Sequence, residues 1–247
     1  MRGIVCKLAL IGGGGMAYSS ELLCSIPGIS HGFLNVKESA CFDRGPFAEI
    51  NQVHGNELVF FKSKLPHRPN ADAAFTDKNN LGLGVITADC LPLLMASSDG
   101  KCICVAHGGW KGIASGIIQK CILEFEKNNI NPEDIRVSIG PHIGSCCYEV
   151  SSDFYTNLLK TSISHIVNQN EYLLFHRTLS EGSKVYFDLS MCGKLVLESM
   201  GVKDEHIDII NTCTYCSGKD LGSYRRRSHI PEAKTYQYSW ILKRSRV

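Results

Sequence analysis

No stretch of the 247-residue chain approaches the roughly 20 consecutive apolar residues that a membrane-spanning helix needs. Excess charge of one sign is missing too. The 26 Lys and Arg against 24 Asp and Glu leave a net charge of +2, so no long-range field draws the chain to nucleic acid or an anionic membrane. Arg225-Arg226-Arg227 is a short basic run without an RNA-binding motif around it. Internal repeats, low-complexity tracts and linkers are absent, which argues against a multidomain array. The apolar run Ile4–Ile11 is short, broken by Lys7, and followed by no A-x-A cleavage site, so it reads poorly as a secretory leader. Gly12, Gly14 and Ala17 fit G-x-G-x-x-A, but Pro27, Gly28 and Gly32 break the chain where a βαβ unit should follow. Residues 1–17 therefore read as a flexible extension, with Met16 as a possible start, and 18–247 as a single domain.

What the chain has in plenty is cysteine, twelve in all. A secreted disulfide scaffold is normally much shorter. Cys102 and Cys104 lie in a strand-like run, Cys121 and Cys192 in helix-like ones, where free thiols behave as small hydrophobes. A reducing cytoplasm is the expected location.

Leu83–Thr87, Lys101–Ala106, Ile135–Ile139 and His206–Ile210 read as strands, and Ser98-Asp99-Gly100 as a turn. Ile113–Phe125 reads as one amphipathic helix, Leu189–Met200 as another stopped at Gly201, and Ser151 or Ser152 as the cap of a helix through Leu159. Helices and strands mix without strict βα alternation. The expected class is α+β, a single domain with a mixed sheet flanked by helices.

Three distant segments each carry a good zinc ligand in tight, glycine-rich backbone: His54 in Gln52-Val53-His54-Gly55, Cys90 in Thr87-Ala88-Asp89-Cys90-Leu91-Pro92, and His107 in His107-Gly108-Gly109-Trp110-Lys111-Gly112. Two imidazoles and a thiolate fill three positions of a tetrahedral shell and leave the fourth open, as in catalytic zinc sites. Asp89 is either a hydrogen-bond partner of a ligand imidazole or a turn residue. The glycines after His107, with Lys111, suit an oxyanion such as phosphate at the next helix start. Tyr224 and Arg225 offer an aromatic face and a guanidinium fork. Cys213-x-x-Cys216 lacks a visible second pair and reads as structural, while the adjacent Cys146 and Cys147 are awkward ligands for one metal.

These motifs, with Gly140-Pro141-His142-Ile143-Gly144, Tyr186-Phe187-Asp188-Leu189 and Ser223-Tyr224-Arg225-Arg226-Arg227, resemble the YfiH-type family. That family was long labelled laccase-domain or multicopper polyphenol oxidase and is now understood as zinc-dependent purine nucleoside phosphorylases. The resemblance runs from about His31 to Val247. It implies a zinc cofactor on His54, Cys90 and His107, with Cys90, His107 and Asp89 at the chemistry. It implies Gln52, Lys111, His142, Tyr224 and Arg225 against purine nucleoside and phosphate, and an adenosine deaminase side activity. A monomer or small homo-oligomer is expected, and the near-balanced charge and lack of a long apolar run give no nucleic-acid or membrane partner. The chain departs from the family in two places. Val36 or Lys37 stands near the position of an expected arginine, and Lys234-Thr235-Tyr236 replaces a terminal T-G-R. Both changes would remove anion or ribose contacts.

Rival readings are a copper phenol oxidase and a cysteine hydrolase or amidase that edits cell-wall precursors. Multicopper oxidases need many imidazoles, usually in H-x-H pairs; this chain has nine histidines and no such pair. A cysteine hydrolase needs Cys90 free of metal.

Overall fold

Along a strand, successive side chains point to opposite faces, and in this chain both faces of the central strands are buried. A computed structural model describes residues 18–177 and 184–245. The expected extension at 1–17, including its glycine run, lies outside the described residues. A six-stranded sheet runs in the order β12 (Ile207–Ile209), β8 (Ile135–Ile139), β6 (Leu91–Ser97), β7 (Ile103–Gly108), β4 (Ala73–Thr76) and β3 (Leu58–Phe60). A four-stranded sheet orders β1 (Ile29–Phe33), β13 (Gln237–Lys243), β5 (Leu81–Thr87) and β2 (Phe47–Ala48). A three-stranded sheet holds β10 (Phe175–Arg177), β11 (Val185–Phe187) and β9 (Glu149–Val150). The β12–β8, β3–β4 and β2–β5 pairs are parallel and the other ladders antiparallel. This is the expected α+β class with mixed sheets and flanking helices.

Strand β6 shows why the fold needs uninterrupted apolar runs. Leu91, Leu93 and Met95 pack under the helices Ile117–Lys127 and Leu189–Ser199, against Ile118, Cys121, Phe125, Val196 and Leu197. Leu94 and Ala96 face the other way, onto Leu83, Val85 and Ile241 of the four-stranded sheet. Each buried Leu or Val contributes about 1.5–3 kcal/mol of transfer free energy. Gly84 in β5 is required by proximity. A Cβ there would strike the ring of Tyr238 on the neighbouring strand β13.

Several expectations shift by physical causes. The single helix expected over Ile113–Phe125 is two, Trp110–Ala114 and Ile117–Lys127, because Gly116 between them sits at φ 95°. The helix expected from Ser151 or Ser152 spans Phe154–Leu158 with Asp153 at its N-cap position. Helix Leu189–Ser199 ends as expected, with Gly201 at φ 90°. No strand was expected over 237–243, yet β13 bonds both β1 and β5.

Ladder register assembles the site. In β6–β7, Pro92 pairs with His107, so the short 88–90 connection before β6 carries Cys90 toward that imidazole. In β4–β7, Ala73 pairs with Ala106, which brings the preceding residue, Asp72, alongside His107.

Candidate metal centre and active site

Asp72 is the organiser of the site. Its side chain is fully buried, and such a carboxylate survives only if its oxygens are satisfied. Backbone N–H groups of Val53 (3.1 Å), His54 (3.0 Å) and Gly55 (2.7 Å) donate to it. His107 Nδ1 lies 2.8 Å from Asp72 Oδ1, and the His107 N–H donates to the Asp72 carbonyl at 2.7 Å. Burial pushes this carboxyl up, but the bonds from His107 and from the Gly55 N–H outweigh it and hold it below its ordinary value. One side chain therefore fixes the loop carrying His54 and, through Nδ1, turns the Nε2 edge of His107 toward the other ligands.

The His54, Cys90 and His107 ligand atoms all lie within 4.8 Å of one another. The two imidazole rings meet edge to face, with centroids 4.7 Å apart. His54 and Asp89 take φ of 59° and 92°, a left-handed backbone that side chains other than glycine rarely adopt. Such strain persists where surrounding bonds over-determine it, here those of Asp72 around His54. Burial raises the Cys90 thiol and lowers the His107 imidazolium. Hydrogen bonds from His107 and then His54 reverse the first, leaving Cys90 at about 7, and those to Asp72 and then Cys90 reverse the second, leaving His107 at about 9. The thiol is thus poised to become a thiolate ligand at neutral pH. Gly109 approaches the set so closely that a Cβ there would lie 3.2 Å from Cys90 Sγ and 3.4 Å from His54 Cδ2.

These three residues line a cavity of about 920 Å³ together with Gln52, Trp110, Lys111, Tyr148, Tyr224, Arg225, Arg227, Lys234 and Tyr236, among others. Gln52 lines the cavity, but its amide is committed to the backbone of Ile86, donating at 2.7 Å and accepting at 2.8 Å. Lys111 stands 5.7 Å from the Trp110 ring centroid. Arg225 donates to the Glu149 carbonyl at 2.9 Å and lies over the Tyr148 ring. Tyr224 is largely exposed, with Arg227 over its ring.

Two expectations are settled or corrected by the geometry. Of the two readings left open for Asp89, the turn residue stands: it sits in the turn before β6, and Asp72 is the carboxylate that meets a ligand-set imidazole. The Asp89 carboxylate accepts instead from Thr214 Oγ1 at 2.6 Å and from the Arg225 N–H at 2.7 Å, tying the Cys90 turn to the helix Tyr224–His229. His142 does not line the cavity. It is buried, with Nδ1 2.8 Å from the Gly140 carbonyl and its backbone bridged to Cys213. The expectation that the C-x-x-C has no second pair also fails, because Cys146 and Cys147 meet Cys213 and Cys216.

The sequence reading missed Asp72 and did not assign Trp110, Tyr148, Arg227 or Lys234 to the site. For Asp72 a signal existed: a lone acid in the apolar run Ala71-Asp72-Ala73-Ala74-Phe75 must find buried donors. Lys234, in the segment that replaces the family's terminal arginine motif, contributes a cation to the cavity. Val36 and Lys37 open the helix Val36–Cys41 beneath an Asn35–Glu38 capping box and do not line it.

The family model described as multi-copper polyphenol oxidoreductase laccase matches residues 31–235. The chain belongs to that family. A purine nucleoside phosphorylase of Rickettsia conorii is 35% identical over 189 residues, covering 74% of this chain and 72% of that protein. The purine nucleoside phosphorylase YfiH of Escherichia coli is 29% identical over 181 residues, covering 72% and 67%. The crystal structure of YfiH from Bacillus licheniformis superposes with a TM-score of 0.73 at 23% identity, covering 87% of this chain and 93% of that one, which supports the fold. Among the described residues no helix is long and apolar enough to cross a membrane.

Proposed function

We propose that this chain is a zinc-dependent purine nucleoside phosphorylase, converting a purine nucleoside and phosphate to free base and ribose 1-phosphate. The observation that carries the reading is one cavity holding the His54–Cys90–His107 set, four cations and several aromatic rings. The purine nucleoside phosphorylase names of the Rickettsia and Escherichia relatives support it.

The donor set fits zinc, with two nitrogens and a sulfur within 4.8 Å, and a three-ligand set of this kind would leave zinc room for a reactant. When bound on His54, Cys90 and His107, zinc would supply Lewis-acid stabilisation of developing charge. The rest falls to the chain's own residues. Lys111, Arg225, Arg227 and Lys234 neutralise phosphate and hold it as nucleophile. Trp110, Tyr148, Tyr224 and Tyr236 offer faces to the purine and ribose. Phosphate oxygen bonds to the anomeric carbon as the bond to the base nitrogen breaks, through the oxocarbenium-like state general to glycosyl transfer. Fixed cations beside that centre favour the reacting geometry. Asp72 keeps His107 and the His54 loop in place, and Asp89 fixes Arg225.

Copper oxidase chemistry lacks the imidazoles it would need. Among the described residues, His54 and His107 are the histidines in any cluster able to hold a metal. A hydrolase using Cys90 as nucleophile would require that thiolate unligated. The deciding experiment incubates the purified protein with adenosine, inosine and guanosine, with and without phosphate. Phosphate-dependent release of free base and ribose 1-phosphate is expected, and ammonia is measured in parallel for deamination. Inert nucleosides alongside phenol oxidation or amide hydrolysis would overturn the proposal.

A further inference from the structure

We propose that Cys146, Cys147, Cys213 and Cys216 form a second metal centre, a tetrathiolate zinc site that clamps the turn at 144–148 to the turn at 213–217. Their sulfur atoms all lie within 4.8 Å of one another. The Cys147–Cys216 and Cys146–Cys216 separations are 3.4 Å and 3.9 Å. With Zn–S near 2.3 Å, a tetrahedral shell places sulfurs about 3.8 Å apart, so little movement closes the shell.

The backbone is built to make this approach. The His142 N–H donates to the Thr212 carbonyl at 3.2 Å and the Thr214 N–H to the His142 carbonyl at 2.9 Å, a parallel bridge that sets the two turns side by side. The Cys147 and Tyr148 N–H groups fold back to the Gly144 carbonyl, and the Ser217 N–H and hydroxyl cap the Cys213 carbonyl. The Gly144 N–H donates to Cys213 Sγ at 3.3 Å, the kind of contact that steadies a thiolate ligand. Gly144 also lets sulfur come close, since a Cβ there would lie 3.3 Å from Cys146 Sγ.

A divalent ion set among four sulfurs deprotonates its ligands and offsets the repulsion between adjacent thiolates. The centre is distinct from the three-ligand site, yet it braces the same cavity. Thr214, inside the Cys213–Cys216 turn, bonds Asp89 beside Cys90. Tyr148, next to Cys147, lines the cavity under Arg225. The Arg226 guanidinium donates to the Thr214 and Tyr215 carbonyls.

The test uses the full-length chain purified under reductant. Zinc by mass spectrometry should be about two per chain, falling to about one in Cys146→Ser/Cys216→Ser. Cobalt(II) added to the chelator-stripped Cys90→Ser chain should still give the near-ultraviolet sulfur-to-cobalt absorption and visible bands of a tetrahedral four-thiolate site. A third measurement is independent of whether the variants fold. In the wild type, the exposed Cys146 and Cys216 should resist iodoacetamide until a chelator is added. About one zinc per wild-type chain, absence of the cobalt bands, prompt alkylation without chelator, or a Cys147–Cys216 disulfide in place of metal would overturn the proposal.

Discussion

The two ligand clusters are built on opposite electrostatic plans. Around Cys90, two imidazoles face the thiol and a buried carboxylate stands behind one of them, so the sulfur is held near 7. Around Cys146, burial first and then Cys213 and Cys216 push ionisation up to about 11. The first cluster pre-ionises its sulfur and opens onto a 920 Å³ cavity. The second brings four sulfurs within 4.8 Å and joins two turns. The same residue type serves an open, reactive position in one place and a closed, structural one in the other, and the neighbours decide which.

That contrast can be broken in graded ways. The largest effect belongs to Cys90→Ser, which swaps a soft thiolate for a weakly ligating hydroxyl. Phosphorolysis should fall by more than about a hundredfold, with the three-ligand metal lost and circular dichroism unchanged. Next comes Asp72→Asn. It keeps the shape but sets an amide NH₂ against N–H donors, so metal affinity at the three-ligand centre should drop about 10–100-fold. Competitive chelator titration measures this, and the cobalt bands of the four-cysteine centre should not move.

A pH experiment sharpens the contrast directly. In chelator-stripped protein, iodoacetamide reacts with thiolate. A lowered pKa means thiolate persists at lower pH, so Cys90 labelling should rise through about pH 7 and level off above it. Cys146, an exposed thiol whose ionisation is pushed up, should label measurably but more slowly than Cys90 at the same pH. By the same sign, protons compete for Cys90 below about 7, and metal at that centre should weaken on acidification. Lys111→Ala is milder. It should raise KM for phosphate several-fold, about 1 kcal/mol, with kcat nearly kept. Smallest is Gly109→Ala, whose methyl would crowd Cys90 Sγ at 3.2 Å. A loss of a few-fold in activity is expected, corresponding to less than about 1.4 kcal/mol.

The His54, Cys90 and His107 cluster was legible in the chain because each sits in its own tight, glycine-marked segment. Asp72 was not. Its meaning depends on β4 pairing with β7 and on a loop 17 residues or more upstream in hydrogen-bond terms. Asp89 was legible as a possible turn residue but its partners were not, since only the folded chain brings Thr214 and the Tyr224–His229 helix to it. The cysteine pairs were each visible, but their meeting rests on a bridge between residues 142 and 213 that no local pattern encodes. Short apolar runs marked β5, β7, β8 and β12, but β4 and β6 were not read as strands, and β13 was hidden because its polar Gln237, Tyr238 and Ser239 are buried between neighbours.

The central claim is that the His54–Cys90–His107 centre drives phosphorolysis inside the cavity. Its most direct test follows phosphate-dependent release of adenine from adenosine in wild type and Cys90→Ser, alongside metal content. The account predicts turnover in the wild type that requires phosphate, yields ribose 1-phosphate, and disappears together with the metal of that centre in Cys90→Ser. Undiminished base release by a Cys90→Ser chain lacking that metal, or no phosphate-dependent release by fully metal-loaded wild type, would contradict it.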